Sequence, residues 1–375
     1  MENLEIENQF NKVYKNKKVI VTGNTGFKGS WLCAWLLELG ANVIGISNGI
    51  PTKPFSLFEE LELEKKIQYF EEDIRNADAM KNIFNQVKPD FIFHLAAQPI
   101  VITSYNDPYE TMTTNIIGTV NILEALRGLQ NECIAIMITS DKCYDNVEWL
   151  WGYKETDILG GKDPYSASKG GAELMIKTYY HSYFSKSESK IKITSVRAGN
   201  VIGGGDWAES RIVPDCIKAW INKDVVEIRS PQSTRPWQHV LEPLSGYLLV
   251  GKCLFENKKL NGEAFNFGPN SDQNKTVLEL IDALANVWGG KSEELFKVIP
   301  PPSFHEAGLL KLNCDKALQL LEWKPVLNFK ETTALTTEWY MIFHAKSKKL
   351  HAYTVDQIKQ YSLYASEREL IWAKA

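Results

Sequence analysis

An α/β fold built on a doubly wound parallel sheet is predicted by three features of the sequence. Short β-branched runs alternate with helical patterns from residue 17 onward. The first run, Lys17 to Thr22, passes at once into a glycine turn and then into a helix. A later run, Ile134 to Ile138, is apolar at every position, as a strand covered on both faces must be.

The totals fit this picture and exclude others. At 375 residues, with 44% apolar and 23% charged residues, the chain has the composition of a globular protein with a sizeable core. Its 42 basic and 46 acidic residues leave a net charge of −4, which speaks against nucleic acid or an anionic membrane as partner. No apolar run approaches the roughly 20 residues of a membrane span, and the polar, acidic start is unlike a secretory leader. Cysteines 33, 133, 143, 216, 253 and 314 are scattered without a CxxC pair. They read as reduced, mostly buried thiols of a cytoplasmic protein, and no metal site is expected.

Taken in order, residues 1–16 read as a lightly docked polar lead-in. After the first strand comes Gly23-Asn24-Thr25-Gly26-Phe27-Lys28-Gly29; Trp31, Leu32, Trp35, Leu36 and Leu39 then give helical spacing, with Gly40 as stop. A second strand, Asn42 to Ile46, completes a βαβ unit of the dinucleotide-binding kind, whose glycines let backbone N–H groups approach a pyrophosphate at a helix start. That second strand ends Ser47-Asn48-Gly49, with neither an acid for a ribose hydroxyl nor an arginine for a 2′-phosphate. NAD and NADP both stay open at this point; the lack of a cation favours NAD.

Strands are expected at Ile67–Phe70 and Asp90–Leu95, the latter opening into Ala96-Ala97-Gln98-Pro99. A long helix is expected from about Tyr109 to Gly128, covering the sheet and offering a dimer contact. The apolar strand ending at Ile138 delivers Thr139, Ser140, Asp141 and Lys142 together at its carboxyl end, where ligands of open α/β sheets bind. A hydroxyl, an acid and an amine there suggest proton transfer; a polar loop exit with an Asp cap is the plainer alternative. Tyr144 to Asp163 reads as a loop over a site. Asp163-Pro164 then starts a helix carrying Tyr165 and Lys169, which share one face at i and i+4, so that the ammonium is expected to lower the phenol toward neutrality. Lys190 to Arg197 is a further strand, followed by a glycine-rich loop with Asn200.

Beyond it the elements become shorter and mixed: a helix at Arg211–Trp220, a strand at Val225–Arg229, a helix over 276–289 and a helical piece from Thr354 to Lys374. The expected division is a Rossmann-type dinucleotide-binding domain over 1–200 with parts of 236–268, a smaller substrate domain over 201–345, and a helical tail over 346–375.

Taken together, these motifs resemble the extended short-chain dehydrogenase/reductase family of nucleotide-sugar-modifying enzymes. Gly23, Gly26 and Gly29 match its glycine turn, Asp73-Ile74 its adenine-contacting acid, and His94-Leu95-Ala96-Ala97 its HxAA segment. Asn115, Ser140, Tyr165 and Lys169 match its catalytic positions. Longer blocks (Thr139 to Tyr144, Asp163 to Lys169, Arg197 to Trp207 and Thr234 to Val240) are similar to those of its CDP-glucose 4,6-dehydratases, which carry Lys where other dehydratases carry Glu after the acid.

The resemblance implies bound NAD, CDP-glucose as substrate, a homodimer or homotetramer, and a role in deoxysugar and O-antigen polysaccharide synthesis. It implies that Tyr165 takes the proton of the sugar 4-hydroxyl, that Ser140 bonds the same oxygen and that Asp141 protonates the departing 6-hydroxyl. Lys142 is either the base at C5 or an electrostatic stabiliser of the enolate. Cofactor contacts are expected from Gly23, Asn24, Gly26, Phe27, Lys28, Gly29, Asp73, Ile74, Leu95, Ala96, Ala97, Asn115, Tyr165 and Lys169. Substrate contacts are expected from Gln98, Asn200, Arg211, Arg235 and His239, with the two arginines gripping the pyrophosphate or, alternatively, forming surface ion pairs. A nucleotide-sugar 4-epimerase would need no acid beside the tyrosine. A sensing protein on the same fold would not need the Tyr/Lys pair intact.

Overall fold

A computed structural model of the chain describes residues 6–51, 55–257, 259–270, 273–290, 294–300, 309–346 and 349–374. In chain order its strands begin with β1 Lys18–Thr22, β2 Asn42–Ser47, β3 Gln68–Glu71, β4 Phe91–His94, β5 Cys133–Ile138 and β6 Ile191–Ala198. There follow β7 Val201–Ile202, β8 Val226–Ile228, β9 Thr234–Arg235, β10 Gln238–His239, β11 Ala264–Phe267, β12 Lys275–Thr276 and β13 Phe296–Val298. Seven of these form one sheet in the order β11-β6-β5-β4-β1-β2-β3, every neighbouring pair parallel. The Rossmann-type doubly wound sheet is therefore present. The remaining strands pair as β7 with β10, β9 with β12 and β8 with β13.

Strand alternation explains the two-sided core. Along β1, Val19 and Val21 join one apolar cluster while Ile20 joins the other. Along β5, Ile134, Ile136 and Ile138 face the first cluster, and Cys133, Ala135 and Met137 the second. All six β5 residues are buried, as an uninterrupted apolar run demands. The first face is covered by the helices Phe27–Glu38 and Leu241–Phe255, the second by Ala77–Val87, Gly118–Gly128 and Pro164–Tyr179.

Two expectations change. Residues 1–5 of the lead-in lie outside the described residues, but the rest is firmly packed rather than lightly docked. Phe10 stacks on Trp372 with centroids 5.2 Å apart, and the Tyr14 hydroxyl donates to the Leu248 carbonyl at 2.6 Å. The tail helix starts earlier than Thr354, at Leu350, and runs to Glu367. It is tied in by Glu242, a buried carboxyl that accepts from the backbone N–H groups of Val326 and Leu327 and from the Tyr361 hydroxyl. Burial pushes the Glu242 carboxyl up to about 7.

The expected long helix is continuous but not regular. Pro108–Met112 passes through a π turn, Thr113–Ile117, into Gly118–Gly128. Such wide turns often mark functional sites, and this one carries Asn115.

Candidate active site

The strand order reverses between β1 and β4, and the loops leaving the carboxyl ends there bound a cleft of about 1220 Å³. Its first wall is the turn after β1. Gly23 has φ +70° and a Cβ there would sit 2.8 Å from the Ala96 nitrogen; a Cβ on Gly29 would lie 2.1 Å from the Gly23 carbonyl oxygen. Glycine is thus required by both backbone angle and close approach. The following helix has Gly26 as N-cap with no side-chain cap bond, so its first N–H groups are left to a ligand. These features fit a dinucleotide pyrophosphate.

Gly23, Gly26, Phe27, Lys28 and Gly29 line the cleft, as do Asp73, Ile74, Leu95, Ala96 and Ala97. Lys28 is pushed down to about 8 by burial, with Arg211 acting in the same direction and Asp141 against it. Asp73 is clamped by Arg75 at 2.6 Å. Ser47 also lines the cleft and hydrogen-bonds Thr25 across 2.7 Å.

Two expected cofactor residues lie elsewhere. The Asn24 side chain is buried against Gly45, where a Cβ would be 2.4 Å from its amide nitrogen, and does not line the cleft. Asn115 is fully engaged as scaffold: it accepts from Gln98 N at 2.8 Å and donates to the Gln98 carbonyl at 3.1 Å and to Ser168 Oγ at 2.8 Å. His94, buried at the end of β4, bridges Thr22 and Thr119 and serves the framework.

The catalytic candidates converge from two elements. At the end of β5, Ser140 caps a 3₁₀ turn by accepting from Lys142 N at 3.3 Å, so the cap is the serine rather than the aspartate. Ser140 Oγ donates to Asp141 Oδ1 at 2.9 Å. Asp141 is 2% exposed and pressed against Gly199, whose Cβ, if present, would lie 1.8 Å from Oδ2. Lys142 is half-buried and lines the cleft.

Opposite, the helix Pro164–Tyr179 is started by Asp163, which accepts from Ser166 N at 2.9 Å, with Pro164 in its first turn. This aims Tyr165 and Lys169 into the cleft, both buried. The expected lowering of the phenol by Lys169 is not what dominates. Burial pushes the phenol up to about 12, and the largest opposing influence is a hydrogen bond with Ser140. Lys169 Nζ lies 5.9 Å from the ring centroid and is itself pushed down to about 8 by burial.

On the substrate side, Gln98, Asn200, Arg211 and Arg235 line the cleft. The Gln98 amide is already engaged, donating to Thr111 Oγ1 at 2.7 Å and accepting from Ile100 N at 2.6 Å. Arg211 is bound to Asp206 at 2.8 Å, and Arg235 donates to the Thr234 carbonyl at 2.9 Å. His239 does not reach the cleft: it is fully buried beside Trp31, and burial pushes its ring down to about 3. Its neighbours in sequence are exposed to the cleft, but its strand pairing with β7 turns it inward.

Sequence reasoning missed the support behind Thr139. Glu173 and Arg197, each with a side chain 3% exposed, pair at 2.8 Å, and Glu173 also accepts from Thr139 and Ser195. It also missed Asp206, which orients Arg211. Only the helical spacing of Glu173 from Tyr165 hinted at an inward acid.

The model of the family described as GDP-mannose 4,6 dehydratase matches residues 20–336. The chain is similar to the CDP-glucose 4,6-dehydratase of Salmonella typhimurium (strain LT2), 45% identical over 330 residues that cover 87% of this chain and 91% of that one. Among solved structures it resembles the UDP-glucose 4-epimerase of Thermotoga maritima with UDP-glucose, with TM-score 0.74 and 26% identity over 87% of this chain and 99% of that one. It also resembles the UDP-glucose 4-epimerase of Thermus thermophilus in complex with NAD, with TM-score 0.73 and 26% identity over 86% and 99% of the two chains.

Proposed function

Because the chain belongs to the GDP-mannose 4,6 dehydratase family, we propose that it is an NAD-dependent nucleotide-sugar dehydratase converting CDP-D-glucose to CDP-4-dehydro-6-deoxy-D-glucose and water. The observation that carries this reading within the family is Asp141: a buried carboxyl in contact with Ser140, at the strand end facing Tyr165 and Lys169. An epimerase needs the tyrosine but has no hydroxyl to expel.

NAD, when bound, accepts hydride from C4 and returns it to C6, so the reaction is redox-neutral overall. The chain's own residues supply the rest. The turn of Gly23, Gly26 and Gly29, with the uncapped helix start, holds the pyrophosphate of the cofactor. Tyr165 takes the proton from O4 as the ketone forms. The ketone acidifies C5, and Lys142 removes that proton or stabilises the enolate. Asp141 gives a proton to O6 as the C6–O bond breaks. Burial of Asp141 and Tyr165 excludes bulk water from both transfers.

Arg211 and Arg235 are assigned to the substrate pyrophosphate, since a guanidinium bonds phosphate oxygens in pairs; Asn200 and Gln98 are assigned to its sugar side. We further place the protein in the cytoplasm as a homodimer or homotetramer, feeding deoxysugar and O-antigen polysaccharide synthesis. Exposed Tyr109, Ile117, Leu174 and Tyr183 on the two helical segments flanking the second face support self-association. The test is incubation with the CDP-, dTDP-, UDP- and GDP-glucose series, followed by mass. Loss of water from the CDP sugar is expected; unchanged mass with all four contradicts the assignment.

A further inference from the structure

A serine hydroxyl has one proton and two lone pairs. In Ser140 the proton is committed to Asp141 Oδ1 at 2.9 Å, and one lone pair faces the Lys142 N–H at 3.3 Å. Toward Tyr165, with which it also hydrogen-bonds, Ser140 therefore meets the phenol as an acceptor. The polarity runs one way: Tyr165 O–H to Ser140 O–H to the Asp141 carboxylate. An alternative in which Ser140 donates to the substrate O4 would have to take its proton away from Asp141.

We propose that Ser140 is a proton conduit, and that Tyr165 and Asp141 share a single proton which Ser140 passes from phenol to carboxylate, setting the base and the acid together. This rests on the reading that Tyr165 accepts the O4 proton and Asp141 protonates O6. The balance closes over a turnover. The cycle starts with Tyr165 as phenolate and Asp141 protonated. Oxidation at C4 breaks the O4–H bond and puts that proton on Tyr165; elimination forms a new O–H bond on O6 with the proton of Asp141. The pair then holds one proton again, on the tyrosine. Transfer of the phenol proton to Ser140, with the serine proton moving to Asp141, restores the start.

The surroundings suit an internal transfer. Ser140 and Tyr165 are each 7% exposed and Asp141 2%, so solvent has little access to either end. Gly199 keeps the carboxylate in place by leaving no room for any other side chain at its position. The charged groups facing the chain are Lys28 from the glycine turn, Asp163 and Lys169 from the tyrosine helix, and Arg211 with Asp206.

The test measures steady-state turnover of CDP-glucose by wild type, Ser140→Ala and Ser140→Thr while a small diffusible acid, imidazolium, is raised at constant pH and ionic strength. Wild type and Ser140→Thr should be insensitive to the buffer. Ser140→Ala should be slowed by about tenfold or more and recover severalfold as the buffer rises, because an outside acid now recharges Asp141. A slow but buffer-insensitive Ser140→Ala, or one as fast as wild type, overturns the conduit; a buffer-sensitive wild type does so as well. If wild type forms no 4-keto-6-deoxy product at all, the dehydratase reading itself has failed, and the two failures are thereby told apart.

Discussion

Replacing Arg197 with methionine should damage the protein far more than a surface arginine would. Its guanidinium gives Nε and Nη2 to the two Glu173 oxygens, each at 2.8 Å, and Nη1 to the Tyr144 hydroxyl at 2.7 Å. Both side chains are 3% exposed. Burial acts to raise the Glu173 carboxyl, and Arg197 outweighs it, holding the group below its usual range. Arg197→Met leaves that charge facing only the hydroxyls of Thr139 and Ser195. Breaking a buried pair from one side costs roughly 3–5 kcal/mol. At roughly 2–4 °C per kcal/mol for domains of this order, less for a longer chain, the melting temperature should fall by at least about 5 °C. The double variant Arg197→Met/Glu173→Leu removes both charges and should recover part of the loss, a coupling on the order of 1–3 kcal/mol. Scanning calorimetry of the four proteins decides it. A single variant melting within about 1 °C of wild type, or a double variant worse than either single one, would refute the reasoning.

Gly199→Ala should displace Asp141, since the new Cβ would stand 1.8 Å from Oδ2; dehydration should drop by about a hundredfold with the fold intact by circular dichroism. Tyr165→Phe should lower kcat by on the order of a hundredfold or more while leaving NAD affinity by calorimetric titration close to wild type. Glu242 gives a pH prediction. Its folded carboxyl is raised to about 7, so its stabilising share is complete below the unfolded carboxylate range and is lost as pH rises through about 7. The loss is on the order of 3 kcal/mol, and Glu242→Gln should flatten the fall in melting temperature between about pH 5 and 8. An unchanged slope in that variant speaks against the assignment.

What the sequence made legible was what has a local signature. The β1 strand, its glycine turn and the helix after it follow from β-branched spacing and from glycines that backbone geometry demands. The uniform burial of β5 follows from its unbroken apolar run. Proline and aspartate set the start of the tyrosine helix, and i, i+4 spacing put Tyr165 and Lys169 on one face. What stayed hidden depends on partners far along the chain. Nothing near Arg197 announces Glu173, 24 positions away on another element. Nor does the run around Arg235 reveal that His239 turns inward once it pairs with β7. The docking of the lead-in was hidden because Phe10, Asn11 and Lys12 take positive φ values of 51°, 55° and 57°, which breaks any helical period. The phenol's upward shift was missed for a related reason: spacing shows that Lys169 is near, but not that burial outweighs it.

The central claim is that one hydrogen travels from C4 to C6 of a single hexose held between Tyr165 and Asp141. CDP-glucose deuterated at C4, turned over by the protein and examined by proton and deuterium NMR, tests this directly. Deuterium should appear at C6 of a 4-keto-6-deoxy product, with none released to solvent. Deuterium retained at C4, as an epimerase would leave it, or lost to water, contradicts the claim.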